Sequence, residues 1–171
     1  MKQDPNEVYL LHGVLKQVSR SFYLTLVALP PQIARQVGLA YLFARAADTI
    51  ADTGQLDRSA RIMFLQQFKL QFIRESLNWD EIRAIKTAIA PQQSHHGERK
   101  LLEQLEACFH IYEKLDKEDQ EEIRQVLPTL ISGMEMDLDV FSGESDAQLS
   151  LIHISEPTRP LYISYAVFCL K

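Results

Sequence analysis

The sequence predicts an all-α fold, and three observations predict it. No stretch of residues 1–148 alternates apolar and polar residues with the period of two that a half-buried strand needs. Apolar residues recur at steps of three and four, the helical period. Prolines, glycines and small polar residues stand at the breaks between those runs, where helices start and stop.

The elements follow in order. Residues 6–18 read as a first helix, with Val8, Leu11, Val14, Leu15 and Val18 apolar, Asp4 as N-cap and Pro5 at the first helical position. The tetrad Ser19-Arg20-Ser21-Phe22 reads as a junction, and an apolar stretch leads from it to Pro30 and Pro31. Those prolines interrupt one pattern and start the next. A long helix over 32–52 ends at Gly54, a residue suited to a C-terminal stop. Residues 57–77 carry Ile62, Leu65, Phe68, Phe72 and Ile73 on one side, and 79–90 form a shorter helix. The polar run 91–97 breaks the chain; its adjacent His95 and His96 read as solvated loop residues rather than metal ligands. Helices over 98–115 and 119–141 complete the pattern, joined by the solvated charged run 114–122. The last helix carries the stripe Leu127, Leu130, Ile131, Met134, Leu138 and Phe141, with Pro128 inside it predicting a kink or a late start.

Bulk properties narrow the function. The chain has 171 residues, 46% hydrophobic and 24% charged, enough for one soluble domain with a core. A net charge of −5 argues against a basic nucleic-acid-binding face. Two cysteines without metal-type spacing, Cys108 and Cys169, give no disulfide framework, and a cytoplasmic location is expected. The N-terminus has no signal-peptide pattern, and no apolar run reaches the roughly 18–20 residues of a membrane span.

The chemistry concentrates in YLFARAADTIADT, residues 41–53. Tyr41, Arg45, Asp48 and Asp52 are spaced 4, 3 and 4, so they line up as one polar stripe. Leu39, Ala40, Leu42, Phe43, Ala44, Ala46, Ala47 and Ile50 surround them and leave little room for an exposed face. Two adjacent buried carboxylates repel and are costly. A hard cation between them resolves this: Mg²⁺ takes one or two carboxylates and completes its shell with water and phosphate. Arg45 is then placed to hold a phosphate oxygen. A plain salt bridge of Arg45 with Asp48 or Asp52 explains the same spacing. In SRSF, the hydroxyls and the guanidinium form an anion-holding set, or a capped helix junction.

Taken in order, SRSF, the Tyr41–Asp52 stripe and GMEMDLD (133–139) resemble the squalene/phytoene synthase family, the head-to-head prenyl-diphosphate condensing enzymes. The resemblance covers roughly 12–148 and implies an isoprenoid-synthase-type helical bundle, incomplete at the C-terminus. It implies that Asp48 and Asp52 bind Mg²⁺. It implies that Tyr41 and Arg45 contact the diphosphate or steady its departure. It also implies that Ser19, Arg20 and Ser21 hold diphosphate while Phe22 lines the cavity. The implied reaction joins two farnesyl or geranylgeranyl diphosphates through a cyclopropyl diphosphate, with NADPH needed only if squalene is the product. Met134 and Leu138 are candidates for the prenyl tunnel or for plain core. Amphipathic substrates and an insoluble product are compatible with loose membrane contact.

The family's second aspartate-rich motif and its Tyr/Ala/Gly-rich helix have no counterpart here. Residues 149–171 change character, with two prolines and few charges, and resemble translated sequencing-adapter DNA. The expected organisation is therefore 1–148, the N-terminal part of one isoprenoid-synthase domain, plus a non-native tail, and a chain inactive alone. Two other readings stay open. One is a non-catalytic helical interaction module with both aspartates in salt bridges. The other is a different isoprenoid synthase, less well matched because Ala47 breaks a DDxxD pattern.

Overall fold

A computed structural model describes residues 5–19 and 21–140, and every regular element among them is helical. The chain enters through α1 (Pro5–Val8), a π-helical segment (Tyr9–Val14) and α2 (Leu15–Ser19). The expected first helix is thus present but widened in its middle. Asp4, Arg20, Phe141 and the tail lie outside the described residues.

The SRSF region and the apolar stretch after it are more regular than expected. Residues Ser21–Val27 form α3, and Pro31 opens α4 (Pro31–Ala51). Proline suits that first position because its missing N–H has no intrahelical partner there anyway. Next come α5 (Arg58–Ile73), capped by the Asp57 carboxylate on the Ala60 N–H, and α6 (Trp79–Ile89), capped by Asn78. A 3₁₀ turn, Ala90–Gln92, follows α6.

The helix expected over 98–115 is two, α7 (His96–Glu103) and α8 (Leu105–Glu113). No glycine or proline marks the break at Gln104. Its N–H reaches the Lys100 and Leu101 carbonyls in a tightened turn, and the break lets Leu101, Leu102, Leu105, Cys108 and Phe109 all be buried. The last helix, α9 (Lys117–Val140), begins earlier than expected and runs through Pro128.

Helix α4 is central: α3, α5, α7, α8 and α9 all pack on it. Its buried face is Leu39, Leu42, Phe43, Ala46, Ala47 and Ile50. Phe43 is fully buried and meets Phe68 and Phe72 of α5 and Phe109 and Tyr112 of α8, the Phe109 ring centroid lying 4.7 Å away. This five-ring cluster anchors the back of α4, and so fixes which way its opposite face points. On α9, Ile123, Leu127 and Ile131 are buried against the same core, and Met134 and Leu138 pack at its edge.

Candidate functional site

The face of α4 opposite Phe43 carries Tyr41, Arg45, Asp48 and Asp52, as the 4, 3, 4 spacing requires. This face is more open than the sequence implied. The side chains of Arg45 and Asp48 are 32% and 40% exposed, and Asp52 is exposed. Of the apolar neighbours expected to leave no room for it, Leu39, Leu42, Phe43, Ala46, Ala47 and Ile50 are buried on the other side, and Ala40 and Ala44 are only partly buried. Asp52 ends the helix as its C-cap, and its N–H donates to the Asp48 carbonyl at 2.9 Å.

Both carboxylates therefore sit at the negative end of the helix dipole, and no basic residue lies in the last turn of α4. The end itself is held from beneath. Arg61 donates to the Ala51 carbonyl at 2.9 Å. The Thr53 hydroxyl donates to the Thr49 carbonyl, and Gln93 donates to that hydroxyl. The Thr49 hydroxyl donates to the Arg45 carbonyl. This buried polar chain fixes the backbone from which the two aspartates project.

Arg45 is gripped at both ends of its fork. One terminal nitrogen donates to Asp48 Oδ2 at 2.5 Å and the other to Glu98 Oε1 of α7 at 2.5 Å. Its buried Nε makes no hydrogen bond among the described residues. Burial alone would lower the guanidinium pKa; the Asp48 and Glu98 carboxylates more than offset that and hold it above its ordinary value. Glu98 is the site residue that sequence reading missed. It lies 53 positions from Arg45, and no local pattern signals the pairing.

The SRSF element does reach this face. Phe22 stacks on Tyr41 with centroids 4.5 Å apart and planes 19° from parallel. Burial raises the Tyr41 pKa, Arg45 opposes the shift and Asp48 adds to it. Ser19 is buried and its hydroxyl donates to the Leu15 carbonyl at 2.5 Å, so that proton is committed to the backbone. Arg20 and the Ser21 side chain lie outside the described residues.

The donor set fits Mg²⁺ in one particular manner. Two carboxylates one turn apart match an ion that shares its shell with water and substrate phosphate. Among the described residues no group of three or more His, Cys, Asp or Glu forms a closed protein cage. The break expected over 91–97 is shorter than that: His95 caps α7 by accepting the Glu98 N–H, and His96, exposed, is the first residue of the helix. In GMEMDLD, Asp139 pairs with Arg58 and Met136 is 61% exposed. Cys108 is fully buried and its thiol is pushed up to about 12 by burial, so it is inert. No described helix is long and apolar enough to cross a membrane.

Comparison with known proteins gives two positive findings. The family model for squalene/phytoene synthase matches residues 15–151. Squalene synthase ERG9 of Saccharomyces cerevisiae is 30% identical over 128 residues, which is 74% of this chain. The chain spans only 27% of that relative's length. No solved structure matches.

Proposed function

The chain belongs to the squalene/phytoene synthase family, and from that premise we propose that it is the N-terminal part of an enzyme that condenses two prenyl diphosphates head to head. The substrates are farnesyl or geranylgeranyl diphosphate, and the product is squalene, phytoene or a related hydrocarbon. The observation that carries this reading is the open face at the end of α4, where Asp48, Asp52 and Arg45 stand together beside the Phe22–Tyr41 stack.

Each residue has a physical task. Asp48 and Asp52 would hold Mg²⁺, which when bound would neutralise diphosphate charge and make it a better leaving group. Arg45 presents a planar fork suited to phosphate oxygens. Tyr41, its pKa raised, stays protonated and able to donate a hydrogen bond toward the departing diphosphate. The Phe22 ring covers one face of Tyr41 and helps keep water from the reacting carbon. The donor's allylic C–O bond breaks with both electrons going to diphosphate. The acceptor's double bond attacks the resulting cation, and loss of a proton closes a cyclopropane that still carries one diphosphate. The second diphosphate then leaves with its electron pair and the resulting cation rearranges; a hydride from NADPH would quench it to squalene, or loss of a proton would give phytoene. The reading places the enzyme in the cytoplasm, in loose contact with a membrane because of its greasy substrates.

We further propose that residues 1–171 alone do not turn over, because the opposing aspartate motif is absent from the sequence, and that the sequence from about 149 to 171 is not native to the protein. The test is to extend the reading frame past residue 148 from the source DNA and assay both proteins with farnesyl and geranylgeranyl diphosphate. The extended protein is expected to require Mg²⁺ and to lose activity in Asp48→Asn and Asp52→Asn. Turnover that survives both substitutions would overturn the proposal. One observation favours a second reading, a non-catalytic helical module: Arg45 already satisfies Asp48 in a salt bridge. That module would tolerate asparagine at both positions.

A further inference from the structure

Arg45 faces a conflict that the aspartate face by itself does not solve. In the ligand-free chain it neutralises Asp48, one of the two carboxylates a metal ion needs. An arginine held by Asp48 alone would be released when that carboxylate turned to a cation. The rotamer entropy of a free arginine, about 2 kcal/mol, would then oppose its use on a phosphate.

Glu98 removes the conflict. Of the three side chains in the cluster it is the least exposed, at 20% against 32% for Arg45 and 40% for Asp48. It stands in the first turn of α7, where the helix dipole favours a negative charge, and His95 accepts its N–H. The turn is seated firmly. Gly97 is buried, and a Cβ added there would come within 3.3 Å of the Gln17 carbonyl carbon on α2. The absence of a side chain at 97 lets α7 rest on α2 two residues before Ser19. Glu98 therefore reaches Arg45 from a separate helix, α7, which is seated on α2 as well as on α4.

We propose that Glu98 is a positioning residue: it anchors one end of the Arg45 guanidinium so that Asp48 can leave the other end for a metal ion, freeing that end for a diphosphate oxygen. This rests on the functional reading above for the ligand, and on the ligand-free geometry for the anchor. Simple electrostatics makes the opposite forecast. Removing a negative charge beside an anion site tightens anion binding, whereas loss of an anchor weakens it.

The test has two arms on residues 1–171. In the first, side-chain nitrogen NMR follows Arg45 without ligand, its signal assigned by its loss in Arg45→Lys. The Arg45 Nε–H is expected to stay ordered in Asp48→Asn and to become mobile in Glu98→Gln and in the one-methylene-shorter Glu98→Asp. Glu103→Gln, an exposed change on the same helix, is the control for charge and folding. Mobility in Asp48→Asn with order retained in both Glu98 variants overturns the inference. The second arm titrates inorganic diphosphate with Mg²⁺ by calorimetry. Glu98→Gln is expected to weaken binding about three- to tenfold, with no effect in an Arg45→Ala background. Tighter binding in Glu98→Gln, or an equal loss in Arg45→Ala, also overturns it. If the wild type binds no diphosphate while the first arm behaves as expected, the anchor stands and the diphosphate part of the inference is overturned for this chain, whereas the functional reading is tested by the extended protein.

Discussion

Asp52→Asn separates a metal-binding face from a structural salt bridge without any catalytic assay. Asp52 sits exposed at the C-cap of α4, one turn from Asp48, with no basic residue in that last turn. A carboxylate at a helix C-terminus costs about 0.3–1 kcal/mol, and a like-charged neighbour at i, i+4 about 0.2–0.5 kcal/mol. Exposure favours the low ends, so Asp52→Asn should stabilise the metal-free chain by about 0.5 kcal/mol, or about 1–2 °C in Tm. Magnesium reverses the order. At ten times its dissociation constant, linkage gives the wild type about 1.4 kcal/mol that the variant cannot gain. Urea unfolding in EDTA and then in MgCl₂ measures both effects. A variant destabilised by more than about 1 kcal/mol in EDTA would instead make Asp52 a structural partner and contradict a metal-binding face.

Other outcomes follow from the core and its borders. Phe43→Ala removes the ring that touches four others and should cost about 3–5 kcal/mol in chemical denaturation; a cost below about 1 kcal/mol would mean that the aromatic cluster does not hold α4. Hydrogen bonding from Lys86, helped by Arg83, keeps the Glu106 carboxyl below the usual carboxylate range. Its contribution is therefore present above the unfolded pKa of about 4.3 and lost as pH falls through the lower folded value. The deficit of Glu106→Gln, under about 1 kcal/mol at neutral pH, should vanish in strong acid; a deficit that persists there contradicts the pairing. In a Cys169→Ser background, Cys108 should resist a thiol reagent at mildly alkaline pH until urea unfolds the chain, since burial pushes its thiol up to about 12; rapid native labelling would show that it is not buried.

Much of the fold was legible because it rests on local rules. Pro31 and Gly54 bracket α4 and the turn after it, and the 3.6-residue period of Leu127, Ile131 and Met134 marks the inner side of α9. What escaped was set by tertiary packing. The break at Gln104 has no breaker residue, and the π-helical widening over Tyr9–Val14 keeps an apolar pattern that reads equally well as α. The site divides in the same way. The Tyr41, Arg45, Asp48 and Asp52 alignment is a property of one helix and could be read from spacing. Its exposure could not, because the helices that fill the Phe43 side come from distant parts of the chain. Glu98 was invisible for the same reason: only the packing of α7 on α2 and α4 brings it to Arg45.

Paramagnetic broadening by Mn²⁺, standing in for Mg²⁺, reports whether the end of α4 is a divalent-cation face. Amide signals of residues 48–53 should broaden first in a titration of the labelled chain, and should persist unbroadened in the Asp48→Asn, Asp52→Asn double variant. The acidic run 116–122 supplies the competing outcome. Broadening there, with residues 48–53 unaffected, would mean that the two aspartates of α4 do not hold a metal ion.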